Sequence, residues 1–522
     1  MYFSPVTPYE VLDFTKKIKP KLSSGHDGVS SKLLKDTINE ILLPITHIIN
    51  QSLVKGIVPN EMKIAKVIPI YKTSDQMNLK NYRPVSLLPA FSKLLEKIVY
   101  DKLMNFLIKK NLLYKHQYGF RPKHSTIHPI IHLLNRCASA ASKPQPECTL
   151  AVLCDLSKAF DLINHDILLN KMNTYGIRGI ANEWFMSYLS ERQQYVEIDG
   201  IRSSLAPIRI GVPQGSILGP LLYLIYVNDI GNSCKGNILS FADDTTLCTS
   251  HSDLSQLYVD ANLQINALYQ WFCSNRLSLN AMKTKYIVLR PKHMRHDLTP
   301  YSIHISNTEL VRIGNDCNEQ STKFLGMYLD ENLSWKHHIA EINKKTARSL
   351  FLIKQAKHVL PFNSMRTLYF ALVNSYLSYG IIAWGNADKA VIRSLTLLQK
   401  RAIRIIYNAP FNSHTDPKFK NSRILKLQDM FEYQSLLLVY DYLSANLPKS
   451  FDGIFPTNSD MPNSRSTRQS QLLYVPRFSS KYAKKQPIYF LPVLSNVSQL
   501  LVLNIKLSDI LKLHCCSIIL LR

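Results

Sequence analysis

The sequence predicts an α+β protein, and three observations carry that prediction. Short apolar runs with strand character fall at Val67–Lys72, Leu150–Cys154 and Asn237–Leu247. Helical apolar spacing appears on both sides of them. From Asp155 to about Leu329 the two patterns alternate, as they do in a mixed sheet-and-helix domain. In chain order, residues 7 to 40 read as helical, with a loop at Ser23-Ser24-Gly25-His26-Asp27-Gly28 and packed-helix spacing at Leu33, Leu34, Ile38, Ile41 and Leu42. Val67-Ile68-Pro69-Ile70-Tyr71-Lys72 reads as a strand, which Pro69 demotes towards a sheet edge because proline has no N–H to donate. Leu94 to Leu107 reads as an amphipathic helix, and residues 142 to 147 as a loop. Beyond Trp335 the pattern is helical: Ile339, Ile342, Thr346, Leu350 and Ile353 share one face.

The chemistry concentrates in three segments. Asn237 to Leu247 places Phe241-Ala242-Asp243-Asp244 between apolar flanks, which reads as strand, tight turn, strand. Two adjacent carboxylates repel unless a cation neutralises them, so the turn is a candidate metal site. The continuous apolar run Leu150-Ala151-Val152-Leu153-Cys154 reads as a buried strand ending in Asp155. Gly211-Val212-Pro213-Gln214-Gly215-Ser216-Ile217-Leu218-Gly219-Pro220 holds three glycines and two prolines in ten residues, a composition that demands a special backbone path and close approach.

Together, and in this order, these elements resemble the reverse transcriptases of non-LTR retrotransposons, the jockey-like group in particular. The resemblance also rests on Asn81-Tyr82-Arg83-Pro84-Val85-Ser86-Leu87-Leu88, on Gln117-Tyr118-Gly119-Phe120-Arg121-Pro122 with His124-Ser125-Thr126, and on Asp155 to Asp161 with Asn164-His165. Leu279-Asn280 with Lys283-Thr284, and Phe324-Leu325-Gly326, complete seven motifs spread over residues 1 to about 450. Phe-Ala-Asp-Asp, with Phe where retroviral enzymes carry Tyr, is the form common in non-LTR elements.

The resemblance implies a right-hand polymerase with fingers, an antiparallel-sheet palm and a helical thumb. It implies an RNA template, a DNA primer or target, dNTPs and two Mg²⁺ ions, with Mn²⁺ as a substitute. Two ions held ~3.5–4 Å apart can activate the attacking oxygen and stabilise the leaving one. Asp155 and Asp243, 88 residues apart, are the expected bridging ligands, with Asp244 close by and the Leu156 carbonyl as an extra donor. Lys72 and Arg83 are expected to grip the triphosphate, where the fixed fork of Arg suits phosphate. Lys283 matches a lysine that protonates departing pyrophosphate. Phe160 is expected beneath the sugar, excluding a 2′-hydroxyl by bulk. Gln214 and Gly215 would contact nucleotide or template, Phe324, Leu325 and Gly326 would grip the primer, and Asp161 is read as structural.

The chain has 522 residues, with 63 Lys and Arg against 37 Asp and Glu, a net charge of +26. That excess suggests a polyanionic partner without distinguishing nucleic acid from an acidic membrane. One basic helix is expected at Lys389 to Tyr407: at 100° per residue, Lys389, Arg393, Lys400 and Arg404 fall within about 60° of one another. Val391, Leu395, Leu398, Ala402 and Ile405 fall opposite. The helix is either a thumb element tracking a nucleic-acid backbone or an ordinary solvated helix. No apolar stretch approaches the ~18 residues of a membrane span, and Met1 to Pro8 lacks signal-peptide architecture. Nine scattered cysteines contain no Cys-x-x-Cys pair, which argues against a zinc knuckle or a disulfide framework and for an intracellular setting, nucleus or cytoplasm.

The expected division is a helical extension over 1–51, fingers and palm over 52–330, a thumb-like region over 331–450 and a tail over 451–522. Residues 451 to 480 read as loosely ordered. The apolar stretch from Leu500 to Arg522 reads as a packed helix or a damaged reading frame. With no endonuclease-like segment ahead of the polymerase motifs and no RNase H-like acidic constellation after 330, the expected product is a polymerase-only piece of such an element. A maturase or telomerase-like enzyme is the rival within the same chemistry. A decayed copy that only binds nucleic acid is the rival outside it.

Overall fold

The computed structural model describes residues 1–72, 75–294, 296–462 and 469–502. The chain forms two compact units, each assembled from separate segments. The first holds residues 1–120, 154–245 and 264–280; the second holds 121–153, 246–263 and the chain from 281 onward.

In the first unit, Thr7 and Glu10 form a capping box at the start of the helix Pro8–Lys17. Ser30 caps the helix Ser31–Lys55, which ends at Gly56 with φ 67°. That second helix runs through Pro44 and well past residue 40, where the sequence pattern stopped it. Both N-terminal helices pack on the helix Ala90–Lys109 within this unit, and residue 51 falls inside Ser31–Lys55.

The sheet of this unit corrects the edge assignment of the first strand. Ile64–Tyr71 lies between Tyr82–Leu87, antiparallel, and Arg192–Ile198, parallel. The parallel partner covers only Ile64 to Val67. Pro69 sits beyond it, opposite Pro84. The strand is therefore central in its first half and an edge only where proline requires one.

Ala90–Lys109 is buried more broadly than an amphipathic stripe would be: Leu94, Leu95, Ile98, Val99, Leu103, Met104 and Leu107 are all covered. So is Glu96, at 1% exposure. Its carboxylate accepts from the Ile217 N–H (2.6 Å) and the Tyr188 hydroxyl (2.8 Å). Burial pushes this carboxyl above its usual range, while Arg192, Tyr188 and the Ile217 and Leu218 amides pull the other way. The pairing satisfies amides that would otherwise be orphaned at the entry to the helix Gly219–Tyr226.

The strands Val311–Ile313, Lys285–Leu289, Cys148–Cys154 and Asp244–His251 follow one another in one sheet; the second unit holds them except for Cys154, Asp244 and Thr245. Cys148–Cys154 runs antiparallel to Lys285–Leu289 and is buried along almost its whole length, as its apolar run predicts. In Lys336–Ala356 the stripe Ile339, Ile342, Thr346, Leu350 and Ile353 is buried without exception. Buried Asp330 shapes the turn into that helix, accepting from the N–H groups of Ser334 (2.9 Å) and Trp335 (3.0 Å).

Residues 451–462 and 469–480 are tied more closely than their composition suggests. Asn458 N–H donates to Leu472 O (2.9 Å), and Tyr474 N–H to Pro456 O (2.8 Å). The helix Pro487–Val502 follows, with Ile488 N–H donating to the Asn135 side chain (2.8 Å). Residues 503–522, with Cys515, Cys516 and most of the apolar stretch from Leu500, lie outside the described residues. Among the described residues no helix is long and apolar enough to cross a membrane, and the seven described cysteines are free thiols.

Buried His338, edge-on to Trp335 and Trp384, has its imidazolium pKa pushed down to about 4 by burial and then by Lys345. Its folded pKa lies below the unfolded value of about 6.5, so the unfolded chain binds the extra proton between these limits. The stability it contributes is complete above the unfolded pKa and is lost as pH falls towards 4. Urea unfolding at pH 7 and pH 5 should show a loss on acidification that shrinks in His338→Phe. An identical loss in both proteins would contradict this assignment.

Candidate active site

The hairpin strands Asn237–Phe241 and Asp244–His251 are joined by the two residues Ala242 and Asp243. Ala242 takes φ 57°, the left-handed conformation that a tight hairpin turn requires and that alanine adopts at a cost. Asp243 is half-buried and Asp244 exposed.

This turn is braced by a segment 125 residues earlier. The Gln117 side-chain oxygen accepts from Ala242 N–H (3.0 Å), and its nitrogen donates to Ala242 O (3.2 Å). Beside it, Tyr118 N–H donates to Ser240 O (2.8 Å), and Ser240 N–H to His116 O (3.0 Å). Gly119 lies so close that a Cβ there would overlap the backbone of Ala242.

Asp155 follows the strand Cys148–Cys154 directly and is half-buried. Its carbonyl accepts from Asn280 N–H (2.8 Å), and the next residue, Leu156, pairs with Leu279. The Leu279-Asn280 motif thus closes onto the first acid. Tyr223, buried in the Gly219–Tyr226 helix, lies in the field of the second pair. Burial, then the negative charges of Asp243 and Asp244, push its phenol above the usual tyrosine range.

The Tyr223 ring packs on Phe160 (centroids 4.9 Å apart), and Phe120 meets Phe160 edge-on at 5.9 Å. The Phe160 ring is therefore held between two aromatic neighbours. Its backbone is held as well, with Val212 N–H donating to Phe160 O (3.0 Å).

The glycine-rich segment takes the special path its composition demands. Gly211 has φ 81°, and a Cβ there would come within 2.7 Å of Asp161 O. Gly215 has φ 125°, and a Cβ there would come within 2.6 Å of Ser86 O. Ser86 N–H in turn donates to Gln214 O (2.7 Å). The Gln214 side-chain amide donates to Asp161 Oδ1 (2.8 Å), so Asp161 holds the glutamine expected to meet nucleotide or template.

Arg83 is exposed on Tyr82–Leu87, opposite Ile70. Pairing continues one step further through Lys72 N–H to Asn81 O (2.9 Å). Lys72 is two residues from Ile70, and strand side chains alternate, so Lys72 and Arg83 share one face as diagonal neighbours.

The first unit thus contains Lys72, Arg83, Asp155, Leu156, Phe160, Gln214, Gly215, Asp243 and Asp244. The second contains Lys283, exposed in the turn before Lys285–Leu289. It also contains Phe324, Leu325 and Gly326, at the tip of the hairpin Thr322–Phe324 and Met327–Leu329, where the Leu325 carbonyl accepts from the Tyr379 hydroxyl (2.6 Å).

The basic helix, Lys389–Ile406, is rotated from its expected setting. Its buried stripe is Leu395, Gln399, Ala402, Ile403 and Ile406. The reason is Gln399, whose amide nitrogen donates to Tyr369 Oη (3.0 Å) and Leu425 O (2.9 Å), making a polar side chain part of the core. Lys389 and Arg393 are exposed and Lys400 is half-buried. Arg404 instead donates to Ser413 O (3.0 Å) and lies over the Phe411 ring.

Sequence patterns missed Gln117, Glu96, Tyr223 and the part played by Asp161. Gln117 and Asp161 lie inside motifs that the sequence displays, Asp161 being read as structural, whereas Glu96 and Tyr223 carried no signal.

Residues 70–329 match the family model described as reverse transcriptase (RNA-dependent DNA polymerase). The chain belongs to the reverse transcriptase family. It is 28% identical to the RNA-directed DNA polymerase from mobile element jockey of Drosophila melanogaster, over 82% of this chain and 47% of that protein. It is also 28% identical to the probable RNA-directed DNA polymerase from transposon BS of the same fly, over 78% of this chain and 45% of that protein. Identity to the probable RNA-directed DNA polymerase from transposon X-element, again of that fly, is 24% over 77% of this chain and 44% of that protein. The reverse transcriptase chain thus spans about half the length of the curated relatives it matches.

The Gly215 contact yields a test. Gly215→Ala sets a Cβ against the Ser86 carbonyl in a strained conformation that costs on the order of 1–3 kcal/mol. The expected result is a lower unfolding midpoint, read by urea denaturation. An unchanged midpoint would mean that the loop has another path open to it.

Proposed function

We propose that this chain is an RNA-directed DNA polymerase that adds deoxynucleotides to a primer 3′-hydroxyl. The observation that supports the reading is that the strands carrying the two acidic segments are neighbours in one sheet. Thr149 and Ser250, on neighbouring strands, have hydroxyl oxygens 3.0 Å apart. Counted six residues in opposite directions from that pair, the strands reach Asp155 and Asp244. Tyr223, which feels the charges of Asp243 and Asp244, packs on Phe160, five residues after Asp155, and so supports the same grouping.

Asp155 and Asp243 would hold Mg²⁺, with Asp244 and the Leu156 carbonyl as further donors. All are hard oxygens, as that ion requires. Among the described residues no three His, Cys, Asp or Glu side chains form a ready-made cage. Mg²⁺ needs only one or two carboxylates when substrate phosphates supply the rest, so this donor set fits an ion that arrives with the nucleotide. Bound there, the metal supplies positive charge that lowers the pKa of the attacking hydroxyl and stabilises the leaving oxygen.

Lys72 and Arg83, on one face of their hairpin, bind the triphosphate; the guanidinium takes two oxygens at once. Phe160, fixed between Phe120 and Tyr223, excludes a 2′-hydroxyl because its ring cannot retreat. Gln214, oriented by Asp161, backs the nucleotide. The roles of Lys283 as proton donor to pyrophosphate and of Phe324, Leu325 and Gly326 as primer grip rest on the resemblance. Lys389, Arg393 and Lys400 contribute backbone-tracking charge.

Asp243→Ala should lower Mg²⁺-dependent extension of a DNA primer on an RNA template by at least about 10³-fold, the scale of several kcal/mol of metal stabilisation. Duplex binding should persist, because the basic surface is untouched. Extension by Asp243→Ala near the wild-type rate would sink the assignment. A wild-type protein that binds the duplex in a salt-sensitive manner but never extends it would favour a nucleic-acid-binding protein without catalysis. Separately, Phe160→Ala should extend with ribonucleotides at a rate approaching that with deoxynucleotides. Unchanged selectivity would remove Phe160 from that role.

A further inference from the structure

We propose that Gln117 is a positioning residue for the acidic turn, and that its carboxamide sets the backbone from which Asp243 and Asp244 project towards metal and nucleotide. The inference rests on the reading of Asp243 as a metal carboxylate.

Ala242 is 7% exposed, so its N–H and C=O need partners inside the protein. One side chain supplies both: Gln117 accepts from the N–H at 3.0 Å and donates to the C=O at 3.2 Å. The same oxygen accepts from Gly119 N–H (2.9 Å), which locks the carboxamide to its own loop. Gln117 is itself 4% exposed, so water is not at hand to replace it.

The Ala242 carbonyl belongs to the peptide plane whose other end is the Asp243 nitrogen. Fixing that oxygen fixes the plane that launches the Asp243 side chain. Ala242 sits at φ 57°, where an L-residue is strained and persists only when its surroundings hold it. Contact at Gly119 closes the other side, since any side chain there would displace Ala242.

The chemistry of the residue type fits the task. A carboxamide presents a donor group and an acceptor group side by side without charge. A glutamate would present an acceptor to the Ala242 carbonyl and add a third negative charge beside Asp243 and Asp244. An asparagine would fall one methylene short.

The test uses the full chain with two independent lesions. Gln117→Met keeps length and removes both hydrogen bonds to Ala242 and the one from Gly119 N–H; Gly119→Ala keeps the glutamine and pushes on the turn. Each should fold, as read by circular dichroism and the unfolding midpoint. Each should lower kcat on the order of 10–100-fold, the range expected when reacting groups shift by about an ångström.

Binding of Mn²⁺ should weaken about tenfold, equivalent to about 1.4 kcal/mol, read by electron paramagnetic resonance with primer–template and a non-hydrolysable dNTP analogue. Primer–template affinity should stay within about twofold, because no phosphate-binding cation has moved. A merely structural role would lower the midpoint and leave Mn²⁺ affinity alone.

Hydrogen exchange on the wild type tests the bracing directly. Slow exchange at the Ala242 amide supports it, and exchange as fast as in an open turn overturns it, whether or not either variant folds. Wild-type kcat and Mn²⁺ affinity in both folded variants would likewise overturn it. Asp243→Asn separates the two layers. If it keeps wild-type kcat and Mn²⁺ affinity, the carboxylate assignment fails and this inference with it. If it loses both while Gln117→Met and Gly119→Ala keep them, this inference alone fails.

Discussion

Two carboxylates on consecutive residues repel each other, and a hairpin tip is the least supported part of a strand pair. The site depends on resolving that conflict. The solution is a turn with a left-handed alanine, both of whose backbone polar groups are held by a buried glutamine. The strands supply direction and the brace supplies position. A catalytic constellation tolerates displacements of well under an ångström, so on the proposed reading the brace would bear on the chemistry through the acids it positions.

The same device recurs in this unit: backbone groups of one motif are held by another motif distant in sequence. Gly211 approaches Asp161, Gly215 approaches Ser86, and Asn280 donates to the Asp155 carbonyl. Glu96 ties the helix Ala90–Lys109 to the amides that precede Gly219–Tyr226. The motifs form an interlocked set of close backbone contacts. Glycine is required where those contacts are closest, because a Cβ at Gly119, Gly211 or Gly215 would strike main chain that cannot yield.

Periodicity and turn chemistry made much of this legible in the sequence. The stripe from Ile339 to Ile353, the buried strand ahead of Asp155 and the strand–turn–strand around Ala242-Asp243 all follow from apolar spacing between polar punctuation, although Asp244, expected in the turn, already belongs to the second strand. Other features were illegible for physical reasons. Pro69 signals an edge only for the half of its strand that lacks a second neighbour, and a sequence does not say where a neighbour stops. Gln399 reads as a surface residue until its partners Tyr369 and Leu425 are known, and its burial turned the basic helix and drew Arg404 into a local bond. Gln117 and Glu96 serve backbone groups more than a hundred residues away, which no local pattern encodes.

The account turns on whether Asp155 and the Asp243–Asp244 turn act as one centre. The most direct measurement is single-turnover extension of a DNA primer on an RNA template across a range of Mg²⁺ concentrations, with wild type, Asp155→Asn, Asp243→Asn and the double variant. If both acids serve one centre, each single variant loses most of the extension and the double variant loses little more, because groups acting as a unit are strongly non-additive. Multiplicative losses in the double variant, or extension that survives Asp155→Asn, would contradict a shared centre.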